Sequence, residues 1–241
     1  MRDPATYPVL HSLLQQQNNK YRKIAQRKNK QKKYSEAELI KLFGLMRTKE
    51  YTPLMREWLS LSLPGLTGLE KELFEEIHES VVERIDGWRE EELKMNFIAF
   101  VLKLGHFNSN EKVSGYYGRI ISADIDGQFL KVKTDFMLAK GILDMPEKPY
   151  FHFQEYKKQK DPYGDPTAQL IEAMLIAQEL NQNKKPIYGA YIIGKFWDFV
   201  VLQGREYCIS KSYDCTEKED LLQIIGILRK FKQILNEKLF D

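Results

Sequence analysis

The chain has only two cysteines, Cys208 and Cys215, seven residues apart. Two thiols cannot build a disulfide framework or a four-ligand zinc site, and such sparse use fits a reducing compartment. Histidine is scarce as well. His11, His78, His106 and His152 stand at spacings that match no metal motif. No apolar run approaches the roughly 20 residues that span a bilayer. The N-terminus lacks the charged-then-apolar order of a signal peptide. These absences together lead us to expect a cytoplasmic protein with no membrane partner. A phosphate-cradling glycine loop is missing too, since Gly115-Tyr116-Tyr117-Gly118 has no following Lys-Ser/Thr. Nothing supports a Ser-His-Asp arrangement, and there is no internal repeat.

What is present is an ordinary globular composition, 43% apolar with a net charge of +3. The charge is unevenly spread. Residues 18–33 hold eight Lys or Arg and no acid, whereas residues 70–92 hold ten acids. The basic run includes Lys20, Arg22, Lys23, Arg27 and Lys28. It reads either as an arm that binds nucleic-acid phosphates or as a solvated tail. Its only large apolar residues are Tyr21 and Ile24, too few to pack a helix.

Helices are expected over Glu36–Leu45, with Ser35 as N-cap, and over Leu54–Leu63 and Glu70–Ile85. Turn signals at Pro64-Gly65 and Thr67-Gly68 separate the last two. Residues 34–86 therefore read as a small helical subdomain. Asp86 is placed to cap a further helix, Trp88–Leu104, whose apolar stripe is Leu93, Phe97, Val101 and Leu104. On that phase Glu90 lies on the stripe, Glu91 at its border, and Glu92 faces away. Strands are expected at Gly118–Ile125, Gln128–Leu138, Tyr150–Lys157, Ile187–Ile193 and Phe196–Leu202. Asp126-Gly127 is a hairpin signal between the first two, and Gly194-Lys195 turns the last pair. Lys140-Gly141 to Lys148-Pro149 reads as a turn. Asp165 and Pro166 open a helix ending near Asn181, and Lys218–Leu239 is an amphipathic helix. The sum is an α/β or α+β fold. A central mixed sheet flanked by helices occupies 87–241, and a basic arm with a helical N-terminal extension occupies 1–86.

Three residues carry the chemistry. Asp135 sits in one expected strand, and Glu155 and Lys157 in the next. In a strand, residues two apart share a face, so Glu155 and Lys157 point the same way. With Asp135 opposite, two carboxylates and an ammonium converge. Two hard oxygen ligands with an incomplete shell suit Mg²⁺ or Mn²⁺, and a lysine beside them can orient an attacking water. The plainer reading is an ion-pair set on exposed strands, worth little to stability. The apolar neighbours Phe136-Met137-Leu138, Phe151 and Phe153 argue for central strands instead. There, charges must be paired or bound to metal.

The order helix, three strands, helix, strand, with Asp135, then Glu155-Tyr156-Lys157, then Gln169, resembles the PD-(D/E)XK nuclease superfamily. The segment 149–210 is similar to a bacterial branch of it common in Bacteroidetes. It shares Tyr150-Phe151, Glu155-Tyr156-Lys157, Asp165-Pro166, Gln169-Leu170, Ala177-Gln178, Asn181, Tyr188-Gly189, Tyr191 and Gly194. The Pro that often precedes the Asp is absent here. The resemblance implies a restriction-endonuclease-like core over roughly residues 88–235 and hydrolysis of phosphodiesters, of DNA before RNA. It implies metal held by Asp135, Glu155, the Tyr156 carbonyl, and Glu90 or Glu91. Lys157 would steady the water, and Gln169 would orient Lys157 or contact phosphate. A homodimer is a further implication. The alternative is an inactive scaffold that keeps the fold to bind nucleic acid or protein.

Overall fold

The computed structural model describes residues 33–60, 65–107, 113–143, 145–158 and 165–239. The basic residues Lys20, Arg22, Lys23, Arg27 and Lys28 lie outside them. Residues 33–241 form one compact unit.

Short local signals begin many of the elements. Helix α1, Glu36–Phe43, is opened by Ser35, whose hydroxyl accepts from Glu38 N while Glu38 reaches back to Ser35 N. Strand β1, Met46–Arg47, follows. Helix α2, Pro53–Leu59, is capped by Thr52, and helix α3, Gly68–Arg84, by Thr67. Asp86 does not cap the next helix. It lies in a 3₁₀ turn, Ile85–Gly87, and helix α4 starts at Glu90, with Arg89 N donating to Glu92. The α4 helix runs through Glu90–Leu93, a π-helical turn at Lys94–Ile98, and Ala99–Leu104. The extra residue in that turn lets both Phe97 and Ile98 face the core.

The strands are β2 Ser114–Tyr117, β3 Ile120–Ile125, β4 Gln128–Lys133, β5 Phe136–Ile142 and β6 Met145–Lys157. Helix α5, Pro166–Asn181, precedes β7 Ile187–Ile193, β8 Phe196–Gln203, β9 Glu206–Ile209 and β10 Tyr213–Asp214. Helix α6, Lys218–Ile234, ends in a π turn, Leu235–Leu239. The central sheet is mixed, with order β1-β9-β8-β7-β6-β5-β2 and β10 beside β8. β6 and β7 are parallel, joined by the α5 crossover, and β5 and β6 are antiparallel. Among the described residues no helix is long and apolar enough to cross a membrane.

Two strand expectations are corrected. The stretch Gln128–Leu138 is not one strand. It breaks at Thr134-Asp135 into β4, paired only with β3, and β5 in the main sheet. Gly118, at φ +63, and the bond Thr134 N to Arg119 O make the neck where the ribbon swivels. The β3–β4 hairpin, turned by Asp126 and Gly127 at positive φ, then lies against α5 rather than extending the sheet. The expected turn from Lys140 to Pro149 is largely strand, because β5 and β6 stay paired to Ile142 and Met145.

Two cores flank the sheet. Helices α2, α3, α4 and α6 bury Trp58, Phe74, Phe97, Val101, Leu228 and Phe231 against one face. Helices α1 and α5, with the hairpin, bury Leu39, Leu170, Met174 and Leu130 against the other. The helices of 34–86 thus share these cores with the later elements. Arg229 of α6 also pairs with Glu70 of α3 at 2.6 Å. Several residues that carry the resemblance act as clasps. Asn181 bonds both Tyr150 N and Tyr150 O, and Gln178 does the same for Gly204. A Cβ on Gly189 would meet Leu170 Cδ1 at 2.9 Å, so this glycine lets α5 lie close to β7.

Glu172 is buried between α5 and the hairpin. Its Oε1 has no hydrogen-bond partner among the described residues. Burial pushes its carboxyl up to about 8, and the Lys131 backbone N–H only partly offsets this. A folded value above the ordinary 4.5 gives stability that is full below the unfolded value. That stability is lost as pH rises through about 8. Glu172→Gln is expected to flatten the fall in melting temperature between about pH 4.5 and about pH 8. At the alkaline end it should gain on the order of 3 kcal/mol over wild type. Parallel profiles for the two proteins would contradict this.

Candidate active site

The site forms where β6 ends beside the start of α4. The β5–β6 ladder stops at the pair Phe136 and Gln154. The next free donor, Tyr156 N–H, is taken instead by the Asp135 carboxylate, Oδ2, at 2.9 Å. The break that sends the hairpin away is therefore what frees Asp135 to turn its side chain toward β6. On β6, Glu155 and Lys157 share a face, and Lys157 Nζ lies 2.9 Å from Glu155 Oε1. Lys157 also stands 3.9 Å from Glu90 Oε2 on α4. The cluster thus gathers Asp135, Glu155, Lys157 and Glu90. The Tyr156 backbone is held at its centre.

One participant was missed by the sequence reading. Lys94 Nζ lies 2.8 Å from Glu90 Oε1, 3.1 Å from Asp135 Oδ1 and 3.5 Å from Glu91 Oε1. Its ammonium also sits over the Tyr156 ring, 5.9 Å from the centroid. The available signal was its place four residues after Glu90, on the same side of α4. Glu91 stays at the rim with its side chain 82% exposed. Gln169 is half-buried in the first turn of α5, which Asp165 caps through Ala168 N, with Pro166 as the first helical residue. Among the described residues the Gln169 side chain bonds neither Lys157 nor any carboxylate of the cluster. His152 lies on the opposite face, packed among Trp58, Phe107 and Phe231. Burial lowers its imidazole to about 3.

The electrostatics are those of a crowded acid site. Burial, then the Asp135 charge, pushes the Glu155 carboxyl up to about 7 against the pull of Lys157. Burial would lower Lys94, but its bond to Glu90 and the Asp135 charge outweigh that and hold it above its ordinary value. Lys157 is raised in the same way by Glu155. A buried carboxyl held near neutrality beside a second acid is a common mark of functional sites. Its donors are all hard oxygens, the chemistry that Mg²⁺ or Mn²⁺ prefers, and added positive charge would favour ionised Glu155. Among the described residues, however, no three His, Cys, Asp or Glu side chains are arranged to hold an ion. The acids are drawn instead around the two lysines. No protein-family model and no curated protein matches this chain.

Proposed function

We propose that this protein is a divalent-metal-dependent nuclease that hydrolyses phosphodiester bonds, of DNA in the first instance. The observation that supports it is the buried Glu155, paired with Lys157 and lying beside Asp135 at a strand end. Asp135, Glu155 and the Tyr156 carbonyl would hold Mg²⁺ or Mn²⁺, with Glu90 or Glu91 as an outer acid. The ion would polarise a phosphoryl oxygen and lower the pKa of a bound water. Lys157 would orient that water and offset charge that builds on the phosphoryl group. Gln169, on the adjoining helix turn, would contact phosphate or steady Lys157. The basic arm, Lys20 to Lys28, would add phosphate contacts and a steep salt dependence. Action in the cytoplasm, as a homodimer, belongs to the same reading. A second reading, a binding scaffold that keeps the fold without the chemistry, is favoured by one observation, the Lys94 ammonium between Glu90 and Asp135.

The first test is a melting experiment with and without Mn²⁺. At a hundredfold excess over its dissociation constant, a bound ion adds about 2.7 kcal/mol. In a domain of this size that raises the melting temperature by about 5 °C or more. Asp135→Ala is expected to abolish the rise. An equal rise in both proteins would place the ion elsewhere.

A further inference from the structure

Asp135 has a single ion-pair partner among the described residues, and it is Lys94. The same ammonium takes Glu90 and touches Glu91. Lys157 is already committed to Glu155, at 2.9 Å, and lies farther from Glu90, at 3.9 Å. With Glu155 ionised and the exposed Glu91 left at the rim, three carboxylates, Asp135, Glu155 and Glu90, face two ammoniums, a balance of one negative charge. Without Lys94 the balance is two negative charges, which one divalent cation neutralises. With Lys94 in place an arriving divalent ion meets two ammoniums and two Asp135 oxygens already bonded, to Lys94 and to Tyr156 N.

The placement of Lys94 suits an occupant that can leave. It opens the π-helical turn of α4, and such turns recur at functional sites. Its side chain is 22% exposed, so the route to solvent is open. Beside it, on the exposed rim, Glu91 offers a second carboxylate to receive it. The four-carbon stem and freely rotating ammonium allow that swing without moving the backbone.

We infer that Lys94 is an internal counter-cation that holds the place of the metal, so that its ammonium and a divalent ion compete for Asp135 and Glu90. Metal entry sends Lys94 out toward Glu91. This rests on the nuclease reading for the identity of the site, but it makes a separate prediction. Lys94 lowers metal affinity instead of contributing to it.

The experiment is calorimetric titration of Mn²⁺ into metal-free wild type, Lys94→Met, Lys94→Gln and Lys94→Arg, with Asp135→Ala as the blank. Losing one positive charge at contact distance is expected to tighten Mn²⁺ binding about tenfold or more in Lys94→Met and Lys94→Gln. Lys94→Arg, which keeps the charge, is expected to bind no tighter than wild type. In EDTA the two neutral variants are expected to melt below wild type and to recover with Mn²⁺. If wild type binds and the neutral variants bind no tighter, the competition is refuted and the nuclease reading stands. If only the neutral variants bind, the competition holds and the scaffold reading replaces the nuclease. If none binds, both fall. Should Lys94→Met fail to fold in EDTA, Lys94→Gln decides the question by the same comparison.

Discussion

On the nuclease proposal, Lys157→Ala is expected to cut DNA about a thousandfold more slowly than wild type, with little change in fold. A positioned cation that offsets charge on a reacting group is worth roughly 10² to 10³ in rate. Lys157 has the geometry for that part, half-buried at the strand end and anchored on Glu155 at 2.9 Å. Losing it strands a buried carboxylate, which is ordinarily costly. Here the cost is limited, because burial already lifts Glu155 to about 7 and it can take up a proton. The stability loss should be about 1–2 kcal/mol at neutral pH. Single-turnover cleavage at saturating Mn²⁺, beside a circular dichroism melt, separates the two effects. Cleavage at an equal rate by both proteins would remove Lys157 from the chemistry.

Trp58→Ala carries the largest expected loss of stability, about 4 kcal/mol. Trp58 belongs to α2, within the stretch that reads from sequence as a small helical subdomain, and it is fully buried against the central sheet. Its ring meets Tyr188 and Phe199 edge-on at 5.0 and 5.2 Å and tilts against Phe231 at 6.1 Å. The indole N–H donates to Ile227 O on α6 at 2.9 Å. Alanine would leave a cavity, and Ile227 O would lose only a second donor, because it stays bonded within α6; the cavity dominates the loss. Trp58→Phe keeps most of the packing and should lose about 1–2 kcal/mol. Urea unfolding measures both. A loss below about 1 kcal/mol for alanine would mean that α2 is not part of the cooperative core.

Much of the fold was legible because its signals are local. Ser35 and Asp165 each accept from a backbone N–H three residues on, and Asp126-Gly127 supply the positive φ of a hairpin turn, so four or five residues suffice to read them. The apolar side of α6 was legible for the same reason, since Leu221, Ile225, Leu228 and Phe231 recur at helical spacing. The break at Thr134-Asp135 had no such signature. Leu130, Val132, Thr134 and Phe136 are all buried, so the alternation runs through the break unchanged. What bends the ribbon there is α5, thirty residues on, which offers the hairpin an apolar surface. The shared core of α2 and α3 was hidden likewise, because a helix stripe shows that something is covered but not by what.

In the candidate site, period-two spacing was enough to put Glu155 and Lys157 on one face. The helical phase that set Glu90 ahead of Glu91 assumed an unbroken helix, which the π turn at Lys94–Ile98 interrupts; Glu90 is nonetheless the acid near both lysines. Lys94 escaped because a lysine on an acidic helix ordinarily reads as a surface i,i+4 pair. Its second partner, Asp135, is 41 residues away. No spacing rule predicts such a meeting. It follows from the strand break and the docking of α4 together.

The most direct test of the nuclease proposal is cleavage of supercoiled plasmid and single-stranded DNA by wild type, with Mg²⁺ or Mn²⁺ against EDTA, and with Asp135→Ala alongside. The proposal predicts metal-dependent cutting by wild type, none in EDTA, and none by Asp135→Ala at matched concentration. Equal cutting by both proteins, or wild type that binds Mn²⁺ at Asp135 and leaves both substrates intact, would contradict it.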